Sequence, residues 1–248
     1  MRFSFIRVII FMKPFEWHHI GGDIDIALSD KHRFSTDSVL LSHFSAPKKT
    51  DVVAELCSGC GIVSLLWFRS KQLSPKCVYT LDIDPEAVLL TSKAIEKNKL
   101  QENITAFCGD LKNPPKEFLP NFFDMVVCNP PYFPTPKKAD LNSTVARHEI
   151  SSSIEDVCSS AAKMLRFGGR LCVSWRPSRL SALFASMRAN KIEPKRMQPV
   201  CSKPDEPPFL MLIEGRLGAG EELSVLPNIV LYNNDRTLTE QYKQIYNI

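Results

Sequence analysis

Val52-Val53-Ala54-Glu55-Leu56-Cys57-Ser58-Gly59-Cys60-Gly61 is the stretch that decides the fold. Its first five residues are an apolar run of strand length broken only by Glu55, the next five make a tight glycine turn, and residues 62–71 form an apolar segment of helical length. Strand, glycine turn and helix open a nucleotide-binding βαβ unit, in which glycines let the backbone come close to a ligand. About 20 residues further on, where such units place an acid for the ribose hydroxyls, a second strand (residues 77–81) ends in Asp82. Asp84-Pro85 then caps a helix running to about Lys99, and a third strand at 103–108 closes on Gly109-Asp110. Asp110 is a candidate acceptor for a ligand's exocyclic amine, and such strand-end acids also serve as plain turn caps.

The second informative stretch is Phe123-Asp124-Met125-Val126-Val127-Cys128-Asn129-Pro130-Pro131-Tyr132-Phe133. It reads as a buried fourth strand that two prolines stop by removing backbone donors. Asn129, preceding a proline, is confined to extended geometry, and Tyr132 follows as an aromatic plate. In an open α/β sheet this loop shares the carboxyl edge with the glycine turn, the edge where ligands sit. A planar amino group there can donate its two hydrogens to the Asn129 side-chain oxygen and to a backbone carbonyl such as that of Pro130, with its ring on Tyr132. That arrangement suits an aminopurine. The plain alternative is a proline-rich loop with a capping asparagine.

On the amino-terminal side, residues 1–12 are apolar with Arg2 and Arg7 but carry no small-residue cleavage site, so a short edge strand or a start at Met12 is expected rather than a signal peptide. Trp17-His18-His19 and Gly21-Gly22 suggest a hairpin, Lys31-His32-Arg33 a basic cluster, and Ser35-Thr36-Asp37 an N-cap cluster opening a helix, with Asp37 a cap rather than a catalyst. Beyond the proline loop, residues 134–143 carry Lys137 and Lys138 and lead to Arg147-His148-Glu149. Serines 151–153 cap a helix to about Arg166, Gly168-Gly169 end it, and residues 170–175 are a fifth strand. A helix at 179–190, strands at 194–200 and 209–213, and a tail strand at 228–232 complete the pattern. The expected organisation is an extension over residues 1–45, a main domain over 46–220 and a tail over 221–248 packed on the same domain.

At 248 residues, 44% hydrophobic and 23% charged, the chain is long enough for a full core, and it has no apolar run long enough to span a membrane. A net charge of +4 permits a polyanionic partner without demanding one. The eight cysteines mostly sit in apolar runs, as in a reducing, cytoplasmic compartment. Cys57-Ser58-Gly59-Cys60 is a C-x-x-C, but neither a second pair nor histidines at zinc-finger spacing accompany it, so no metal is expected.

The glycine turn, Asp82, Gly109-Asp110 and Asn129-Pro130-Pro131-Tyr132 together resemble the class I S-adenosylmethionine-dependent methyltransferases. Within them, Asn129 to Phe133 is similar to the loop of enzymes that methylate planar amino groups. The run from His32 to Leu41, Arg147-His148-Glu149, Leu212-Ile213-Glu214-Gly215, and Leu231-Tyr232 with Thr239-Glu240 resemble the bacterial tRNA1(Val) adenine-N6 methyltransferase family, over most of the chain from about residue 15. The resemblance implies an α/β fold, with a seven-stranded Rossmann-like sheet, helices on both faces and the last strand antiparallel. It implies S-adenosyl-L-methionine as cofactor, held by Glu55, Cys57, Gly59, Gly61, Asp82, Asp110 and Asn129, and a tRNA substrate. Asn129, Pro130 and Tyr132 would be catalytic, and Pro131, Tyr132, Phe133 and Arg147 would bind the substrate. Lys137, Lys138, Lys195, Arg196 and Lys203 are further candidates for phosphate contacts. One departure stands out. The family usually has a glycine where this chain has Cys57, so the backbone there is less free to adopt φ > 0.

Three other readings share some of these features. A glutamine-amide methyltransferase acting on a release factor uses the same loop, but is expected to carry an N-terminal helical domain larger than residues 1–45. A DNA adenine methyltransferase would be expected to carry a target-recognition insert. A non-catalytic RNA-binding protein with a decayed cofactor site rests on Cys57 alone, and cofactor binding separates it from the rest.

Overall fold

The computed structural model describes residues 14–69, 74–130 and 153–247. The chain opens with an antiparallel hairpin, β1 (Glu16–His19) and β2 (Asp25–Leu28), turned at Gly21 and Gly22, and continues into α1 (Thr36–Ser45). A regular alternation follows, with β3 (Val52–Leu56), α2 (Ile62–Trp67), β4 (Cys77–Asp82), α3 (Pro85–Lys97), β5 (Ile104–Cys108) and β6 (Phe123–Cys128). After residue 152 come α4 (Ile154–Met164), β7 (Leu165–Trp175), α5 (Leu180–Ala189), β8 (Ile192–Cys201) and β9 (Leu210–Leu217). Two short strands, β10 (Ser224–Val225) and β11 (Ile229–Val230), and α6 (Glu240–Tyr246) end the chain.

The main sheet runs β10-β8-β9-β7-β6-β3-β4-β5, with β11 also on β8. β3, β4, β5, β6 and β7 pair in parallel, while β9, the last of the seven long strands, runs antiparallel to both β7 and β8. This is the expected architecture with two short edge strands added. The order also creates a switch point. From β3 the chain builds outward through β4 and β5, then returns to place β6 on the other side of β3, so a crevice opens between the carboxyl ends of β3 and β6.

Side chains alternate across the sheet, so successive strand residues enter different cores. Val53, Val78, Met125 and Val127 pack with α1, α2, α3 and α6 on one face, whereas Ala54, Leu81, Val126 and Cys128 pack with α4 and α5 on the other. Both faces are buried, which is why β3 and β6 read as continuous rather than alternating apolar runs. Helix starts follow local chemistry. The Asp84 side chain accepts from the Glu86 amide with Pro85 at the first helical position, and Ser153 and Asp156 form a reciprocal capping box.

Several boundaries differ from expectation. Helix α4 ends at Met164, and β7 begins at Leu165, with Gly168 and Gly169 inside it: Leu165 pairs with Phe123 but Arg170 with Met125, so a bulge absorbs the glycines rather than a helix stop. Helix α2 closes at Trp67. The tail strand shrinks to Ile229–Val230, and α6, capped by the Thr239 hydroxyl, was not expected. Arg196, expected at a phosphate, instead donates to the Phe44 carbonyl at 2.8 Å and to Glu214 at 3.0 Å. Glu214 also lies 3.4 Å from both Arg170 and Arg216, and Asp51 completes the group at 3.0 Å from Arg170. Lys195 and Lys203 are likewise engaged, with Glu222 and Glu206. Among the described residues, no helix is long and apolar enough to cross a membrane.

Candidate active site

The glycine turn leaves β3 through three left-handed residues, Cys57 (φ +54), Gly59 (φ +54) and Gly61 (φ +76). Gly61 is needed twice over, because a Cβ there would stand 2.7 Å from the Thr91 methyl as well as at a disfavoured φ. At Gly59 a Cβ would meet nothing within 4 Å; the position borders open space that a side chain would partly fill. Cys57 adopts a left-handed conformation that its Cβ disfavours and that a glycine would take without that cost.

Asp82 organises the turn from the end of β4. Its Oδ2 accepts from the Gly59 amide at 2.7 Å and its Oδ1 from the Asp84 amide at 2.9 Å. Each carboxylate oxygen has a second lone pair, so two acceptor positions remain for a diol. Glu55, 2% exposed, accepts on Oε2 from the Ser64 amide at 3.2 Å and from the Ser64 hydroxyl. Burial pushes its carboxyl from 4.5 to about 8 despite those two bonds, with the nearby Asp82 charge adding to the rise. Around these groups lies a cavity of about 280 Å³, lined by Phe34, Ser38, Glu55, Cys57, Gly59, Asp82, Ile83, Gly109, Asp110, Leu111 and Asn129 among others. Asp110 is at its rim and caps a turn through the Lys112 amide at 2.9 Å. The structure thus brings together every cofactor-site residue expected from the sequence except Gly61. That glycine acts from behind, by setting the start of α2.

Asn129 stands at the end of β6, one step past the pairing of Cys128 with Leu56 on one side and Val173 on the other. Its Nδ2 donates to Ser38 Oγ at 2.8 Å, and its Oδ1 accepts from the Ser174 hydroxyl. Asn129 also borders a second cavity of about 610 Å³, shared with Ser35, Thr36, Asp37, Pro130, Arg176, Phe209 and Leu231. The half-buried amide therefore touches both spaces. Pro131, Tyr132, Phe133, Arg147, Lys137 and Lys138 lie outside the described residues.

Sequence reasoning missed Ser38, Ser174, Arg176 and Phe209. Ser35 is the N-cap of α1, and buried Asp37 stands 3.9 Å from Arg176 at the second cavity. The signal for Ser38 was the serine-rich entry to α1, whereas Ser174 had none, being one hydroxyl in an apolar strand. All eight cysteines, the C-x-x-C pair included, are free thiols, and burial pushes Cys60 up to about 12. The Cys57 thiol instead sits against that of Cys128, which together with burial holds Cys128 well above its usual range.

A family model described as the methyltransferase small domain matches residues 29–181. The chain is 26% identical over 191 residues to a Porphyromonas gingivalis protein named tRNA1(Val) (adenine(37)-N6)-methyltransferase, covering 74% of each chain. A Bacteroides fragilis protein of the same name is 26% identical over 186 residues, covering 73% of this chain and 76% of its own. Among solved structures, a predicted O-methyltransferase from Agrobacterium tumefaciens superposes with a TM-score of 0.69 at 17% identity, over 86% of this chain and 96% of that one. TYW2 of M. jannaschii, solved in complex with AdoMet, gives a TM-score of 0.57 at 16% identity, over 84% of this chain and 87% of that one. At these identities the two structures speak for the fold.

Proposed function

The chain belongs to the methyltransferase small domain family, and from that premise we propose that it methylates the exocyclic N6 of an adenine in tRNA, the anticodon-adjacent adenine of tRNA1(Val). One observation carries the reading: Asn129 borders both the cavity beneath the glycine turn and the second cavity beside it. An acceptor at that junction touches a cofactor space and a substrate space at once. The names of the P. gingivalis and B. fragilis relatives support the choice of tRNA adenine.

The first cavity fits S-adenosylmethionine. The Gly59 border is free of any Cβ, Asp82 keeps two lone pairs for the ribose hydroxyls, and Ile83, Leu111 and Phe34 offer apolar surface for an adenine ring. Glu55 and Asp110 offer further polar contacts. When bound, this cofactor supplies an electrophilic methyl group on a sulfonium.

The remaining chemistry belongs to the chain. An adenine amine is a weak nucleophile because its lone pair is delocalised into the ring. If the Asn129 oxygen and the Pro130 carbonyl hold its two N–H bonds, the nitrogen can pyramidalise, and those acceptors stabilise the positive charge that develops on it. No strong base is required: as the N–C bond forms and the S–C bond breaks with its electron pair going to sulfur, the cationic nitrogen becomes acidic and would give up one proton to water. Alignment of the two reactants supplies much of the rest, worth about 7 to 11 kcal/mol in favourable cases. Tyr132 and Phe133 are proposed to stack the splayed base, a contact worth about 1 to 3 kcal/mol in single-strand binders, and Pro131 and Arg147 are proposed to contact the substrate, Arg147 at a phosphate. A loop adenine is a suitable target because it is unstacked at lower cost than a duplex base.

The test is transfer of labelled methyl from S-adenosylmethionine into unmodified total tRNA, with purified release factor in parallel. Label in tRNA, most of it lost in Asn129→Ala, is the expected result. Label in release factor with tRNA untouched hands the site to glutamine-amide methylation.

A further inference from the structure

Ser174 lies in the run Leu171-Cys172-Val173-Ser174-Trp175 of β7, where every residue is buried and its own exposure is 0%. A hydroxyl in such a place is costly unless it is hydrogen-bonded. Its partner among the described residues is the Asn129 side-chain oxygen, 45 residues away in sequence. The sheet makes this contact: Cys128 pairs with Val173, so the next residues on the two parallel strands, Asn129 and Ser174, come side by side at the carboxyl edge. From the opposite side Ser38, 6% exposed in α1, accepts from the Asn129 Nδ2 at 2.8 Å.

A primary amide has two N–H donors and two acceptor lone pairs. With one donor on Ser38 and one lone pair on Ser174, a single lone pair and a single N–H are left over. Rotating the amide plane away from the two hydroxyls breaks both bonds, whereas a full flip exchanges donor and acceptor and the hydroxyls, which can donate or accept, can follow. An asparagine without these two partners would also sample other planes, in which its oxygen does not face the amine it should receive.

We propose that Ser38 and Ser174 are positioning residues that clamp the Asn129 amide from both sides and hold its plane, in which the oxygen has one lone pair left for the amine of the substrate base. The inference rests on the reading of Asn129 given above. The serines do not touch the reacting atoms. They act through Asn129, and they confine an amide that the neighbouring proline already restricts only at the backbone.

The experiment compares wild type with Ser174→Ala, Ser38→Ala, Ser38→Thr, Asn129→Ala and the Ser174→Ala/Asn129→Ala double variant. Methyl transfer from S-adenosylmethionine to unmodified tRNA is followed at steady state and in single turnover, and a melting curve is recorded for each protein. Each serine-to-alanine change is expected to lower kcat by about 10- to 100-fold, the scale of loss from a small misplacement, with KM for both substrates within about twofold. Ser38→Thr, which keeps the hydroxyl, should recover most of the rate. In the Asn129→Ala background, Ser174→Ala should add nothing. Folded serine variants that turn over at the wild-type kcat overturn the inference, and so does a Ser174 effect of equal size with and without Asn129. If Ser174→Ala melts early, the Ser38 alanine and threonine pair decides. A wild-type protein that transfers no methyl to tRNA overturns the functional reading and this inference with it. An active wild type with indifferent serines overturns this inference alone.

Discussion

Replacing Asp82 by Ala separates the two jobs assigned to that carboxylate. It holds the turn, through Gly59 N at 2.7 Å and Asp84 N at 2.9 Å, and it offers lone pairs to the cofactor ribose. Hydrogen bonds to a charged group are worth about 1.5 to 3 kcal/mol each. Losing two would cost about 3 to 6 kcal/mol if the amides stayed dry. Asp82 is only half-buried, however, so water can re-engage at least one amide, and the expected loss of folding stability is about 2 to 3 kcal/mol. Cofactor affinity should fall by a further 1 to 3 kcal/mol, about 5- to 150-fold in Kd. Asp110→Ala is the internal control. Its carboxylate caps one amide, Lys112 N, at the cavity rim, so the loss on both scales should be smaller. Urea unfolding and calorimetric titration with S-adenosylmethionine measure the two quantities. An Asp82→Ala protein that binds the cofactor with unchanged affinity would refute the site assignment, and unchanged stability would refute the turn-holding role.

Cys57→Gly should raise stability by up to about 1 kcal/mol, because relief of a left-handed residue, about 1 to 2 kcal/mol, exceeds the added freedom of glycine in the unfolded chain; a lower urea midpoint would mean that the thiol packing against Cys128 dominates. Glu55 has a folded-state pKa raised from 4.5 to about 8, so its contribution to stability is fully present below pH 4.5 and is lost as pH rises towards 8, then stays flat. Glu55→Gln should remove that slope, read as melting temperature against pH for both proteins, and a slope that persists in the Gln variant would assign it to other groups. Glu214→Gln removes the shared partner of Arg170, Arg196 and Arg216 and should cost about 3 to 5 kcal/mol in chemical denaturation; a loss under 1 kcal/mol would show that Asp51 suffices.

β3, β4 and β6 were legible because each is an apolar run stopped by residues with a physical reason to stop it: the glycine turn after β3, Asp84-Pro85 after β4 and the prolines after Asn129. The first turn of the site was legible for the same reason: Gly59, Gly61 and Asp82 are local to their elements. The start of β7 was not, since Gly168-Gly169 serves equally as a helix stop or a strand bulge, and only pairing with Phe123 and Met125 decides between them. Partners of Asn129 were hidden more deeply. Ser174 and Ser38 lie 45 and 91 residues from it and reach it through strand register and helix packing, neither of which shows in the sequence around Asn129. Charge misled in the same way. Arg196 looked like a surface cation, yet it stacks on Phe44 at 4.4 Å and is bound to Glu214, while Glu214 itself, part of a motif associated with function, neutralises arginines across β7, β8 and β9.

The central claim is the identity of the methylated atom, and nucleoside mass spectrometry reads it directly. tRNA from cells lacking this protein is digested before and after incubation with the purified protein and S-adenosylmethionine. The account predicts that N6-methyladenosine appears only after incubation, that it maps to the anticodon-adjacent position, and that Asn129→Ala forms it at a small fraction of the wild-type rate while still binding cofactor. A methyl group on another atom or another base, or an undiminished yield from Asn129→Ala, would contradict the account.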